Sequence, residues 1–154
     1  MFVQELMTQP VVSCHVRDSA NAAAQIMWEH DCGVVPVVDD DGRLAGVVTD
    51  RDICLAAYFQ GLPLSSIRLD SMMSRELCTC RPEDDVTDAE HMMSTRQLRR
   101  IVAVNERQAP VGMLSLGDVA RRVGRGPAAR QRDGQELLST VAAVSTPRGQ
   151  LASV

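Results

Sequence analysis

Lysine is absent from this chain. All 16 basic residues are arginine, set against 20 Asp and Glu for a net charge of −4. An acidic chain makes a poor general nucleic-acid binder, so that class is set aside. Aromatic residues are nearly missing too, at 3% of the sequence. The core is therefore expected from Val, Leu, Ile, Ala and the 8 methionines, whose flexible thioethers fill irregular gaps. No apolar run approaches the ~20 residues that span a bilayer, and the N-terminus lacks the basic-then-apolar form of a targeting peptide. No membrane role is expected, and a cytoplasmic location is. The five cysteines are odd in number with no secretory signal ahead of them, which reads as reduced thiols.

What is present is a pattern used twice. Gly46-Val47-Val48-Thr49-Asp50-Arg51-Asp52-Ile53 runs Gly, apolar, apolar, hydroxyl, two free positions, Asp, apolar. Gly112-Met113-Leu114-Ser115-Leu116-Gly117-Asp118-Val119 repeats it 66 positions later. At that offset the halves align without a gap from Met7 to Asp52: Met7-Thr8 on Met73-Ser74, Ala23 on Ala89, Val35–Val38 on Ile101–Val104. Matching units in register point to a duplicated fold.

In the first unit, residues 2–8 read as a short helical lead-in with Phe2, Val3, Leu6 and Met7 apolar, closed by Pro10. Val11–Cys14 is a strand candidate, and Asp18 or Ser19 caps a helix through Glu29. Gly33 is placed to end that helix in a left-handed cap. Val34–Val38 and Leu44–Val48 form a hairpin around Asp39-Asp40-Asp41-Gly42, with Pro36 arguing for an edge strand or a break in the ladder. A helix follows over Asp50–Tyr58. The expected organisation is a first repeat over 1–60, a linker at 61–71, a second repeat over 72–124 and a tail over 125–154. In the tail, Gly124, Gly126 and Pro127 break the preceding helix, and Gln135–Val144 forms a short helix with Leu137, Leu138, Val141 and Val144 apolar. That helix is expected to dock on the chain's own body, with 145–154 disordered.

Two readings fit the hydroxyl-x-x-Asp pairs. Thr49 and Ser115 serve as helix N-caps with Asp52 and Asp118 as capping-box acids. Alternatively, the helix N-terminus and hydroxyl receive phosphate, and the carboxylate accepts two hydrogen bonds from a ribose diol. The usual capping-box acid is Glu or Gln, whose length lets it reach back, and both copies here keep the shorter Asp. The two roles are compatible.

The chain resembles a tandem pair of CBS domains, the arrangement called a Bateman module, over about residues 5–123. The residues that carry the resemblance are Leu6-Met7-Thr8, Gly33–Asp39 and Gly46–Ile53 in the first half. In the second they are Met72-Met73-Ser74, Arg99–Val104 and Gly112–Val119. The resemblance implies an α/β (α+β) fold of two β-α-β-β-α repeats packed about a pseudo-twofold axis, with clefts between them. It implies adenosine-containing ligands: AMP, ADP, ATP, S-adenosylmethionine or NAD. Thr49 and Ser115 would meet ribose or phosphate, Asp52 and Asp118 the ribose hydroxyls, and Arg99 and Arg100 the phosphates. Val12, Val35 and Pro36 would hold adenine, and Arg51 lies beside the first site. The halves are unequal, because Arg99-Arg100 match Gly33-Val34 and Arg51 matches Gly117.

No nucleophile elbow, Walker loop, Gly-rich dinucleotide fingerprint or metal-ligand cluster appears, so no enzymatic activity is expected. Cys78-Thr79-Cys80 fits a strand with both thiols on one buried face; a metal or redox pair is the alternative, although zinc wants four ligands. The expected function is a stand-alone regulatory sensor needing no cofactor, with an adenine nucleotide as regulatory ligand. Output would pass through a homodimer or an effector protein. A ligand-free interaction scaffold is the alternative.

Overall fold

The computed structural model describes residues 1–123 and 131–145. Strand β1 (Cys14–His15), helix α1 (Ala20–Glu29), strands β2 (Val34–Val38) and β3 (Leu44–Thr49) and helix α2 (Asp50–Gln60) make one β-α-β-β-α series. Strand β4 (Thr79–Cys80), helix α3 (Val86–Arg96), strands β5 (Arg100–Val104) and β6 (Pro110–Ser115) and helix α4 (Leu116–Val123) make the second. Helix α5 (Gln131–Ser145) follows. Each series carries a three-stranded sheet, ordered β1-β2-β3 and β4-β5-β6. This is the mixed α/β, twice-repeated architecture that the sequence pattern predicts.

Contacts divide the chain into two compact units. One holds Pro10–Thr79 with Val104–Val111; the other holds Met1–Gln9, Cys80–Ala103 and the described residues from Gly112 onward.

In the unit built on Pro10–Thr79, β2 and β3 pair antiparallel and β1 pairs parallel with β2. β2 is thus the central strand. Pro36 is tolerated there because β1 pairs only with Val37 and Val38 and stops short of it. The turn closes as its residues dictate: Gly42 takes φ +74°, and the Asp39 carboxylate accepts from the Asp41 and Arg43 N–H groups at 3.0 and 2.9 Å. The core gathers Cys14, Ala20, Ala23, Met27, Val35, Val37, Val48, Ile53 and Ala56. Ile67, Leu69 and Met73 complete it, so the stretch between the repeats is a structural part of this unit rather than a spacer. Ser19 occupies the N-cap position of α1 without a side-chain capping bond, and the left-handed residue beyond that helix is Asp31 (φ 48°), not Gly33. Its short polar side chain tolerates that conformation. Gln97 (φ 53°) does the same after α3, at the 66-residue offset.

The lead-in segments are exchanged between the repeats. Residues 69–74 precede the second repeat yet pack on the first, where Val47 and Ser74 trade backbone hydrogen bonds of 3.0 and 2.9 Å. Residues 3–8 lead into the first β-α-β-β-α series yet pack with the second, where Thr8 and Met113 trade bonds of 2.9 and 3.0 Å. This explains the glycine that opens each motif. A Cβ on Gly46 would lie 2.9 Å from both Met73 Cγ and the Ser74 carbonyl oxygen, and one on Gly112 would lie 2.9 Å from Met7 Cγ. Gly46→Ala is expected to destabilise by about 1–3 kcal/mol, because backbone as well as side chain must yield. Gly112→Ala should cost less, since its Cβ meets only the flexible Met7 side chain. Urea denaturation of the two variants checks the order.

In the second unit the buried side chains include Val3, Met7, Cys80, Val86, Ala89, Met93, Ile101, Leu114, Val119 and Val144. Helix α5 packs on α3 and α4, so the tail helix docks on the chain's own body. It is longer than expected, and its inward face carries Thr140 and Val144 while Leu138 and Val141 face solvent. The expectations for Gly124, Gly126 and Pro127 and for 146–154 lie outside the described residues. The scarcity of aromatics has a structural counterpart: Phe2, Trp28, Tyr58 and Phe59 are all exposed, and the core is aliphatic and methionine-rich. No described helix is long and apolar enough to cross a membrane.

Candidate functional site

The first candidate site forms where β3 turns into α2. Thr49 keeps extended backbone (φ −109°, ψ 162°) and caps the helix. Its hydroxyl accepts from the Asp52 N–H at 3.1 Å, while Asp52 Oδ2 accepts from the Thr49 N–H and from the Thr49 hydroxyl, both at 2.8 Å. Asp is therefore long enough to close this box. The capping role occupies only one carboxylate oxygen: Asp52 Oδ1 has no hydrogen-bond partner among the described residues. A carboxylate oxygen offers two lone pairs, enough for a diol, at a helix N-terminus where the dipole favours anionic groups.

The second site repeats this at the β6–α4 corner. Asp118 Oδ2 accepts from the Ser115 N–H (2.8 Å) and hydroxyl (2.6 Å), and the Asp118 N–H donates to Ser115 Oγ at 3.2 Å. Here the other oxygen is not open: Arg121 Nη2 donates to Asp118 Oδ1. The residue matching Arg121 in the first repeat is Leu55, which cannot do so.

The basic residues fall as follows. The Leu116 N–H donates to the Arg99 carbonyl at 3.1 Å, which places Arg99 at the start of α4; Arg100 opens β5 beside it. Both are exposed, and neither side chain has an ion pair among the described residues. In the first repeat the same backbone bond joins Asp50 to Gly33 at 3.3 Å. A Cβ on Gly33 would lie 3.1 Å from Asp50 Oδ2, so a carboxylate stands at the first site where an arginine stands at the second. Arg51 is exposed on the first turn of α2. Asp50, Leu55 and Arg121 escaped sequence reasoning, although the 66-residue offset sets each opposite a residue of different charge.

The apolar candidates separate. Val12 is 39% exposed, ahead of β1. Val35 and Pro36 are fully buried and present no side-chain surface; the residue opposite Thr49 in the hairpin is Val34. His15 lies 3.0 Å from the Asp40 carboxylate, which also binds Arg17, and the Arg17 guanidinium holds the Asp40 carboxyl below its usual range. Cys14 and Cys80 occupy equivalent buried places on β1 and β4. Burial, with the nearby Asp18 charge, pushes the Cys14 thiol up to about 11, so it stays protonated at neutral pH. Among the described residues no group of three or more His, Cys, Asp or Glu is arranged to hold a metal ion.

The model of the CBS domain family matches residues 3–58 and 68–125. The CBS domain-containing protein YhcV of Bacillus subtilis is 35% identical over 118 residues, which cover 77% of this chain and 82% of that protein. Among solved structures, the CBS domain pair of protein MJ0100, in complex with 5'-methylthioadenosine and S-adenosyl-L-methionine, superposes with a TM-score of 0.72 at 25% identity, covering 80% of this chain and 96% of that one. The CBS domain protein PAE2072 from Pyrobaculum aerophilum, complexed with AMP, superposes with a TM-score of 0.71 at 25% identity, covering 90% and 99%.

Proposed function

Because the chain belongs to the CBS-domain family, with two repeats in tandem, we propose that it is a regulatory sensor of adenosine-containing ligands, AMP, ADP or ATP foremost, with S-adenosylmethionine or NAD as further candidates. It acts without catalysis, through a homodimer or an effector protein that recognises the liganded state. The observation that carries the reading is the division of labour within Asp52. One oxygen caps α2, and the other has no hydrogen-bond partner among the described residues, which leaves its lone pairs open to a diol. The complexes of PAE2072 with AMP and of the MJ0100 pair with methylthioadenosine and S-adenosylmethionine support the ligand class. In this reading Asp52 and Asp118 accept from ribose hydroxyls, Thr49 and Ser115 contact ribose or phosphate, and Arg99 and Arg100 meet phosphates. Val12 supplies apolar surface for adenine, and Val35 and Pro36 support it from beneath. The ligand works by population shift, favouring the conformation that the partner binds.

A thermal-shift panel of AMP, ATP, S-adenosylmethionine and NADH tests the proposal. A ligand at 100 times its Kd stabilises by about 2.7 kcal/mol, which raises Tm by several degrees in a chain of this size. Silence across the panel overturns the proposal. One observation favours a second reading, a scaffold that binds partners without ligand. Trp28, Tyr58 and Phe59 are 88, 78 and 77% exposed, and exposed apolar surface of that kind marks interaction sites.

A further inference from the structure

We propose that Arg121 makes the site of the second repeat selective for anionic nucleotides over neutral nucleosides. The inference rests on the reading of Asp118 as a ribose acceptor. Asp118 spends both lone pairs of Oδ2 on the Ser115 N–H and hydroxyl, and Arg121 Nη2 takes one of the two on Oδ1. A ribose diol needs two acceptor positions there and finds one. In the first repeat, Leu55 stands in place of Arg121, and Asp52 Oδ1 keeps both.

The guard is easily moved. The Arg121 side chain is 62% exposed while Asp118 is only 9% exposed, so the ion pair is solvent-screened on the arginine side. A neutral nucleoside must displace the guanidinium into water. A nucleotide offers it a phosphate, which binds the planar fork through two parallel hydrogen bonds. The anionic ligand thus frees Asp118 Oδ1 for the diol and captures the released arginine. Two neighbours fit this exchange. The Arg121 guanidinium lies over Gly117, where even a Cβ would sit at ordinary contact distance from it, 3.4 Å from Arg121 Nη1. Arg99, tied to the start of α4 through its carbonyl, adds a second positive charge at the same corner. The first repeat lacks both arginines, and there Asp50 offsets the exposed Arg51 beside it, so it discriminates less by charge.

The test is calorimetric titration of adenosine and AMP into the full chain carrying Asp52→Asn, which leaves the second site to be read. AMP is expected to bind at least about tenfold more tightly than adenosine. Arg121→Leu should bring the two affinities within about threefold of each other, tightening adenosine and weakening AMP. Arg121→Lys, which keeps the charge, should retain most of the AMP preference. Because the arginine is solvent-screened and Asp118 keeps its bonds to Ser115, the unliganded melting temperature should move little in either variant, and Arg121→Gln replaces Arg121→Leu should the latter unfold. Equal shifts for both ligands, or none, overturn the inference. Binding to the wild-type chain that vanishes in Asp52→Asn also overturns it, while the sensor reading stands. If neither ligand binds the wild-type chain at millimolar concentration, the sensor reading fails and takes this inference with it.

Discussion

Leu69→Ala is expected to cost about 2–5 kcal/mol of stability, the range for truncating a buried leucine to alanine. Leu69 lies between the repeats, where a reading by segment alone finds only a connection. In the structure it is 0% exposed, with Ile67 at 1%, inside the core of the unit built on Pro10–Thr79. Backbone bonds hold it there: the Leu69 N–H donates to the Asp18 carbonyl at 2.9 Å, and the Ala20 N–H donates to the Ile67 carbonyl at 2.8 Å. The neighbouring backbone cannot easily collapse into the space that the lost side chain leaves, so the transfer and cavity terms add. Chemical denaturation should show the midpoint falling with an unchanged m-value. A loss below ~0.5 kcal/mol would mean that the segment is a tether after all.

Asp52→Ala carries the second large effect, at least about a tenfold loss of ligand affinity, because a hydrogen bond to a charged group is worth about 1.5–3 kcal/mol. The same change removes the capping box and should lower stability by about 1 kcal/mol. Asp52→Asn separates the two roles. Its amide oxygen can still accept from the Thr49 N–H, while its NH2 group puts a donor where Oδ1 offered lone pairs. Stability should then be largely kept and affinity lost. Calorimetry beside urea melts reads both quantities. Affinity unchanged in Asp52→Ala and in Asp118→Ala would leave these acids as helix caps alone.

The order of elements and the two hydroxyl-x-x-Asp corners were legible because duplication writes each of them twice. Gly46 and Gly112 were legible as motif openings, but their reason was not. A residue pattern carries no record of which methionine lies above a glycine, and Met73 and Met7 answer for the repeats they do not precede. The left-handed position after α1 is read as Gly33 because glycine enters that region without cost; the helix ends at Glu29 as expected, but the chain turns at once and Asp31, two residues nearer the helix, takes that conformation. Val35 and Pro36 enter as adenine contacts through the resemblance to CBS pairs, and the strand pattern alone does not show how deep they lie. Three consecutive buried residues in β2 mean that both faces are covered. Arg121 was in plain view three residues after Asp118, a spacing at which helical side chains meet. Its role stays hidden because a sequence records charge without direction.

The exchanged lead-in segments also set a timetable for synthesis. The segment Met1–Gln9 leaves the ribosome well ahead of the backbone that receives it: Met113, the partner of Thr8, follows roughly 100 residues later, about 5–20 s at ordinary elongation rates. Residues 69–74, by contrast, emerge after the strand they cover and can close on it at once. The first repeat is thus sealed by the segment that follows it, while Val3 and Met7 stay uncovered on the nascent chain until the second repeat has been made.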